Sequence, residues 1–167
     1  VDQNGNLIGK ELPDSELINA VSLLCVPGMG DKKYVVRNDL LRTVAPMPVF
    51  AGEKNFNPHY LIMKLSKQYR FHPVNQCFCL VEYQPDGMTA NIWKQYVNSP
   101  RSFAELRRVI MDVPGLTWQY RLKNIIHYCS SSQIAGNRNY IKESPRKLLT
   151  VLCTPAGWVL TGYIRRK

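Results

Sequence analysis

The chain has 167 residues, 45% of them hydrophobic, and carries 22 Lys and Arg against 12 Asp and Glu, a formal charge of +10. That length suits one domain, and nine Tyr, five Phe and three Trp supply more burial than a disordered chain carries. The charge is unevenly placed: residues 1–99 hold ten Lys/Arg and nine Asp/Glu (net +1), and residues 100–167 hold twelve and three (net +9). An anionic partner is therefore expected at the last two-fifths of the chain.

The opening residues Val1-Asp2-Gln3-Asn4-Gly5 are polar and lack the apolar core of a secretory signal. Because it begins with Val rather than Met, the chain reads as excised from something longer. Its five cysteines (Cys25, Cys77, Cys79, Cys129, Cys153) are odd in number and follow no zinc spacing. They predict reduced, cytosolic thiols rather than a disulfide framework.

Asn4-Gly5-Asn6 reads as a turn into a short strand at Leu7-Ile8-Gly9. Asp14 or Ser15 can cap a helix with Leu17, Ile18, Val21 and Leu24 on its apolar face, ended by Pro27, Gly28 and Gly30. Residues 33–37 are β-rich and predict a strand, and Asn38 reads as the N-cap of a short helix through Leu40 and Leu41. Pro46, Pro48 and Gly52 keep the next stretch irregular. A helix then starts at Asn57-Pro58 and runs through Tyr60, Leu61, Met63, Leu65 and Tyr69.

Residues 76–83 form an apolar run of strand character, ended by the turn Pro85-Asp86-Gly87. Helices follow near 89–97, 102–112 and 117–134, the second with a capping box at Ser102 and Glu105. Residues 137–144 read as a polar loop. The order is mixed α/β first and helical second.

Leu148 to Ile164 is 17 residues without a charge, bracketed by Arg146-Lys147 and Arg165-Arg166-Lys167, with Trp158 and Tyr163 near its end. It is short of the roughly 20 residues of a membrane span and is broken by Pro155 and Gly157. Burial in a soluble core is one reading. The flanking cations and aromatics fit a helix at a membrane interface better.

His59, His72 and His127 are far apart, and no His/Cys/Asp cluster has ligand spacing. A phosphate-cradling Gly-rich loop and a Gly-x-Ser-x-Gly elbow are both missing. Ser130-Ser131-Ser132 reads as a polar helix face or a helix contact rather than a nucleophile. Glu53 stands on a loop among apolar residues, where a carboxylate with a raised pKa can serve as a general base; beside Lys54 it can equally be a surface glutamate. Asp31 and Asp86 each suit turn chemistry. The basic half has no helix-turn-helix, RNP-like or KH-like signature, so nucleic acid is not the expected partner.

The stretch Cys79-Leu80-Val81-Glu82-Tyr83-Gln84-Pro85-Asp86-Gly87-Met88-Thr89-Ala90-Asn91-Ile92-Trp93-Lys94-Gln95-Tyr96, running on to Phe103-Ala104-Glu105-Leu106-Arg107, resembles the C-terminal half of bacterial family-2 glycosyltransferases that assemble cell-surface polysaccharide. Gly30-Asp31-Lys32-Lys33, Gly52-Glu53-Lys54, Lys123-Asn124-Ile125-Ile126-His127-Tyr128 and Glu143-Ser144-Pro145-Arg146-Lys147 resemble the same branch in the same order. The pattern's acidic residue near position 59 is replaced by His59.

The resemblance implies an α/β fold. Residues 1–99 would be the acceptor-side part of a GT-A, Rossmann-like domain, and 100–167 a basic helical tail with an interface segment at 148–164. It implies sugar transfer with inversion from a nucleotide-sugar to a glycan or lipid-linked acceptor, with Glu53 as the base. Asp31, Lys32, Tyr83, Asp86 and Thr89 would line the acceptor side. The divalent cation, Mg²⁺ or Mn²⁺, would have its ligands in an Asp-x-Asp motif upstream, since none occurs in these 167 residues. On this reading the fragment alone is inactive. It would sit in the cytoplasm, peripheral to the inner face of the cytoplasmic membrane, with 144–167 on anionic lipid. The alternative is a non-enzymatic basic helical module that binds a membrane surface or a protein.

Overall fold

The structure is a computed structural model that describes Val1, residues 5–82 and residues 91–167. The described residues form eight helices: α1 (Ala20–Leu24), α2 (Asn38–Val44), α3 (His59–Leu65), α4 (Ile92–Asn98), α5 (Pro100–Ile110), α6 (Trp118–Ile134), α7 (Tyr140–Glu143) and α8 (Lys147–Ile164). No sheet is present among them, which overturns the expected α/β, Rossmann-like class. The β-type pairing assigned is one isolated antiparallel bridge, Ile18 to Phe71, closed by two N–H···O bonds of 2.8 Å.

The reason is that a strand is a pairing and not a residue type. The β-prone residues at 33–37 and 76–82 have no ladder beside them among the described residues, and Val35 is 97%, Phe78 73% and Leu80 68% exposed. Residues 7–9 likewise form no strand. Tyr83, the turn at 85–87, the start of the helix expected at 89 and Asn4 of the first turn lie outside the described residues.

The first helix also starts later than its sequence suggests. Ile18 is held in the bridge with Phe71, so the chain stays extended up to Asn19. The Asn19 side chain then accepts from the Val21 N–H (3.0 Å) and donates to the carbonyls of Ser66 (3.2 Å) and Pro114 (3.3 Å). It is at once a helix cap and a tie between three segments. The expected start of α3 holds, with Asn57 Oδ1 accepting from His59 N at 2.9 Å.

The principal core joins residues from both sides of position 99. Ala20, Val21, Tyr60 and Met63 pack with Leu106, Val109 and Ile110. The helices 100–167 form a second layer around α6, against which α5 and α8 pack. Its buried cluster includes Met111, Ile125, Tyr128, Cys129 and Cys153. Gly157 makes the close approach possible: a Cβ there would stand 2.5 Å from Cys129 Cβ, inside van der Waals contact. The loop expected at 137–144 contains the single turn α7. All five cysteines are free.

Candidate functional site

Glu53 is placed where the sequence does not predict it. Its Oε1 accepts from Arg101 N (2.9 Å) and Arg101 Nε (3.1 Å), and its Oε2 from Ser102 N (2.8 Å) and Ser102 Oγ (2.6 Å). The side chain is 5% exposed. It therefore caps the first turn of α5 from 48 residues away, where unpaired N–H groups and the helix dipole favour an anion. The capping box expected at Ser102 and Glu105 does not form. Pro100 starts the helix one turn early, so Ser102 lies inside it, and Glu105 instead pairs with Arg108 through two bonds of 2.8 Å.

Burial by itself would raise the Glu53 pKa. The bonds from Ser102 and Arg101 outweigh it and hold the carboxylate below its ordinary range. A carboxylate with both oxygens engaged and its proton affinity lowered is suited to capping; a general base needs the opposite shift. Arg101 completes the clamp, donating to the Ala51 carbonyl and lying 5.5 Å from the centre of the Phe50 ring.

Asp31 and Lys32 line a shallow groove of about 200 Å³ together with Lys10, Lys33 and Phe78. Two glycines let the flanking segments approach each other. Gly9 and Gly30 have φ of +95° and +71°, and a Cβ at either would strike the backbone of the facing segment. Lys10 N donates to Met29 O at 3.2 Å across this approach. Lys32 Nζ is turned to the Met29 carbonyl at 2.8 Å, and Asp31 is near enough to His59 to oppose the fall in pKa that burial imposes on that ring. The structure thus brings Asp31 and Lys32 together but not to Glu53, which belongs to the α5 cap. Tyr83, Asp86 and Thr89 lie outside the described residues. Among those described, no group of three His, Cys, Asp or Glu side chains is arranged to hold a metal ion.

The surface of α8 is inverted for a helix of a water-soluble core. Its buried side consists of Thr150, Cys153, Thr154, Gly157, Thr161 and Ile164. Its exposed side carries Leu148 (83%), Leu152 (74%), Trp158 (62%) and Val159 (76%), with Val151 and Tyr163 half exposed. Apart from Ile164, the buried residues are small or hydroxyl-bearing, Leu149 and Leu160 are partly buried against the core, and the other large apolar residues face outward. The hydroxyls are satisfied internally: Thr161 Oγ1 lies 3.0 Å from Ser130 Oγ, and Thr154 Oγ1 lies 3.0 Å from Tyr140 OH. The serines 130–132, expected as a polar face or a helix contact, are buried, and Ser130 makes the contact with Thr161. Helices that associate within lipid use the same arrangement, because small residues allow close approach and the solvent outside is apolar.

A third cluster went unread in the sequence. Arg107 of α5 bonds Asn124 Oδ1 (2.8 Å) and Tyr96 OH (3.4 Å), and no carboxylate among the described residues pairs with it. Its buried Nε and the buried Nδ1 of His127 have no hydrogen-bond partner among the described residues. Burial, then Arg107, then Lys123 push the His127 imidazole down to about 4. The available signal was the helical spacing of Lys123 and His127, four residues apart on one face.

Comparison of the chain with family models, with characterised proteins and with solved structures returns no match.

Proposed function

We propose that the chain is a basic helical module that rests on an anionic membrane surface through the outward face of α8. The inverted polarity of that helix carries the reading. Lys147–Ile164 has a mean hydropathy of 1.2 and only 28% of it is buried, so its apolar side is free to meet lipid. Cations stand at both ends, Arg146 and Lys147 at one and Arg165, Arg166 and Lys167 at the other. Each is worth about 1 kcal/mol near an anionic leaflet. Trp158 and Tyr163 have the amphipathic rings that favour the headgroup level. With α6 packed along its other side, the helix lies in the interface and does not cross the bilayer.

The test is co-sedimentation of the whole chain with vesicles of phosphatidylglycerol and phosphatidylcholine. Replacing the exposed Trp158 and Val159 by Ser removes apolar surface worth about 1.5–3 kcal/mol per side chain when fully buried. Binding is expected to fall at least tenfold, with the melting temperature unchanged. Equal binding by wild type and variant rejects the membrane reading.

A second reading has the chain acting as the acceptor-side part of an inverting glycosyltransferase, at the inner face of a cytoplasmic membrane and on a lipid-linked acceptor. It is supported by the sequence resemblance, whose adjacent Asp31 and Lys32 both line one groove. The cap made by Glu53 favours the module over the transferase. Sugar transfer by a longer chain containing these residues, lost in Glu53→Asp while the melting temperature is kept, would reverse that preference.

A further inference from the structure

Arg107, Lys123 and His127 gather three basic groups from two helices without an acid among the described residues. Arg107 makes its two bonds to neutral acceptors, Asn124 and Tyr96, which leave its charge uncompensated. Two donor-capable nitrogens there, Arg107 Nε and His127 Nδ1, are buried and have no hydrogen-bond partner among the described residues. Buried polar groups of this kind, shared here with Ser132 Oγ and Gln133 Nε2, call for a partner such as water, an ion or a ligand. Lys123 is exposed, one helical turn before His127 on α6 and near enough to act on its charge. The groups facing His127 are Tyr96 of α4, its ring centre 5.7 Å away, Arg107 of α5 and Lys123 of α6; Tyr120 of α6 adjoins Arg107.

The cluster also has a defined place on the molecule. Tyr96 packs with Phe103 and Ile164 at the end of α8, and Trp93 of α4 meets Tyr163 with ring centres 5.4 Å apart. The basic cluster is thus one side chain removed from the stretch of α8 that leads into Arg165–Lys167.

We propose that Arg107, Lys123 and His127 form a binding site for a phosphate monoester or diphosphate, held by α5 and α6 beside the C-terminal end of α8. Such a group supplies several acceptors and two negative charges, which matches unpaired donors of a guanidinium and an imidazole. A lipid phosphate and a soluble phosphate share this chemistry. The placement at the bilayer rests on the membrane reading, whereas anion capture does not.

The experiment follows the His127 Cε1–H resonance against pH by NMR on the whole chain. It is run in chloride alone, then with inorganic phosphate or diphosphate at equal ionic strength, and then with vesicles of phosphatidic acid or of phosphatidylglycerol. A bound dianion is expected to raise the His127 midpoint by about one pH unit or more, a tenfold change in proton affinity. Lys123→Gln, at an exposed position where folding is not at risk, should weaken phosphate binding about two- to fivefold. Arg107→Gln should abolish the shift, and Arg107→Lys should restore part of it.

A shift with soluble phosphate identifies a free ligand. A shift with phosphatidic acid alone identifies a lipid headgroup. An unmoved His127 midpoint under every condition overturns the proposal, as does an equal shift in the Lys123→Gln and Arg107→Gln proteins. Vesicle binding lost in the Trp158 and Val159 variant with the phosphate response intact would concern α8 alone.

Discussion

Replacing Glu53 separates a cap from a catalyst. In Glu53→Ala the Arg101 N–H is left to water, since Arg101 is exposed. Ser102 is 4% exposed, so its N–H and hydroxyl lose an acceptor that water replaces poorly. A lost N-cap costs about 0.5–2 kcal/mol, and a buried donor left unmade costs about 1–3 kcal/mol. The expected total is about 2–4 kcal/mol, or about 2–4 °C of melting temperature per kcal/mol for a chain of this size. Glu53→Gln keeps one oxygen and should lose about half of that.

The pH dependence gives a second readout. The folded pKa of Glu53 lies below the ordinary 4.5. Its contribution is therefore complete above 4.5 and is lost as pH falls through the folded value. The gap in urea stability between wild type and Glu53→Gln should be constant near neutrality and close in acid. Variants within 0.5 kcal/mol of wild type at pH 7, measured against the variation expected of ordinary surface changes of about that size, would refute the cap. A gap that widens in acid would refute the sign of the shift.

Three further outcomes follow from the packing. Gly157→Ala puts a Cβ 2.5 Å from Cys129 Cβ, and overpacking of this kind costs about 1–3 kcal/mol, read as a lower urea midpoint; an unchanged midpoint would mean that α6 and α8 are not held so closely. Burial pushes the Cys129 thiol up to about 11, so alkylation of the native protein followed by mass spectrometry should label exposed Cys77 early and Cys129 only on unfolding. Asn19→Ala removes the α1 cap and both ties to Ser66 and Pro114, and should cost about 1–2 kcal/mol by thermal melting.

The bodies of α4, α5, α6 and α8 were legible because local signals agree there, whereas α7 was expected as loop and the start of α5 was expected at Ser102 and lies at Pro100. Apolar spacing and the charge-free run 148–164 mark the bodies. The first half was misread where local preference needs a distant partner. The stretch 33–37 and the run beginning at residue 76 have strand composition, but no neighbouring strand among the described residues pairs with them, so the expected sheet is not there.

Sequence alone settled the imbalance of charge and the apolar stretch between two cationic ends. These follow from composition and order along the chain. Tertiary structure decided what those features do. It set α8 with its threonines and Gly157 inward and Leu148, Leu152, Trp158 and Val159 outward, because the rotation of a helix about its axis is fixed by the partner it packs on. It turned Glu53 from a candidate base into the cap of a helix 48 residues away, and it gathered Arg107 and His127 from separate helices. Each of these depends on a contact between residues far apart in the chain, and spacing along the sequence does not encode such a contact.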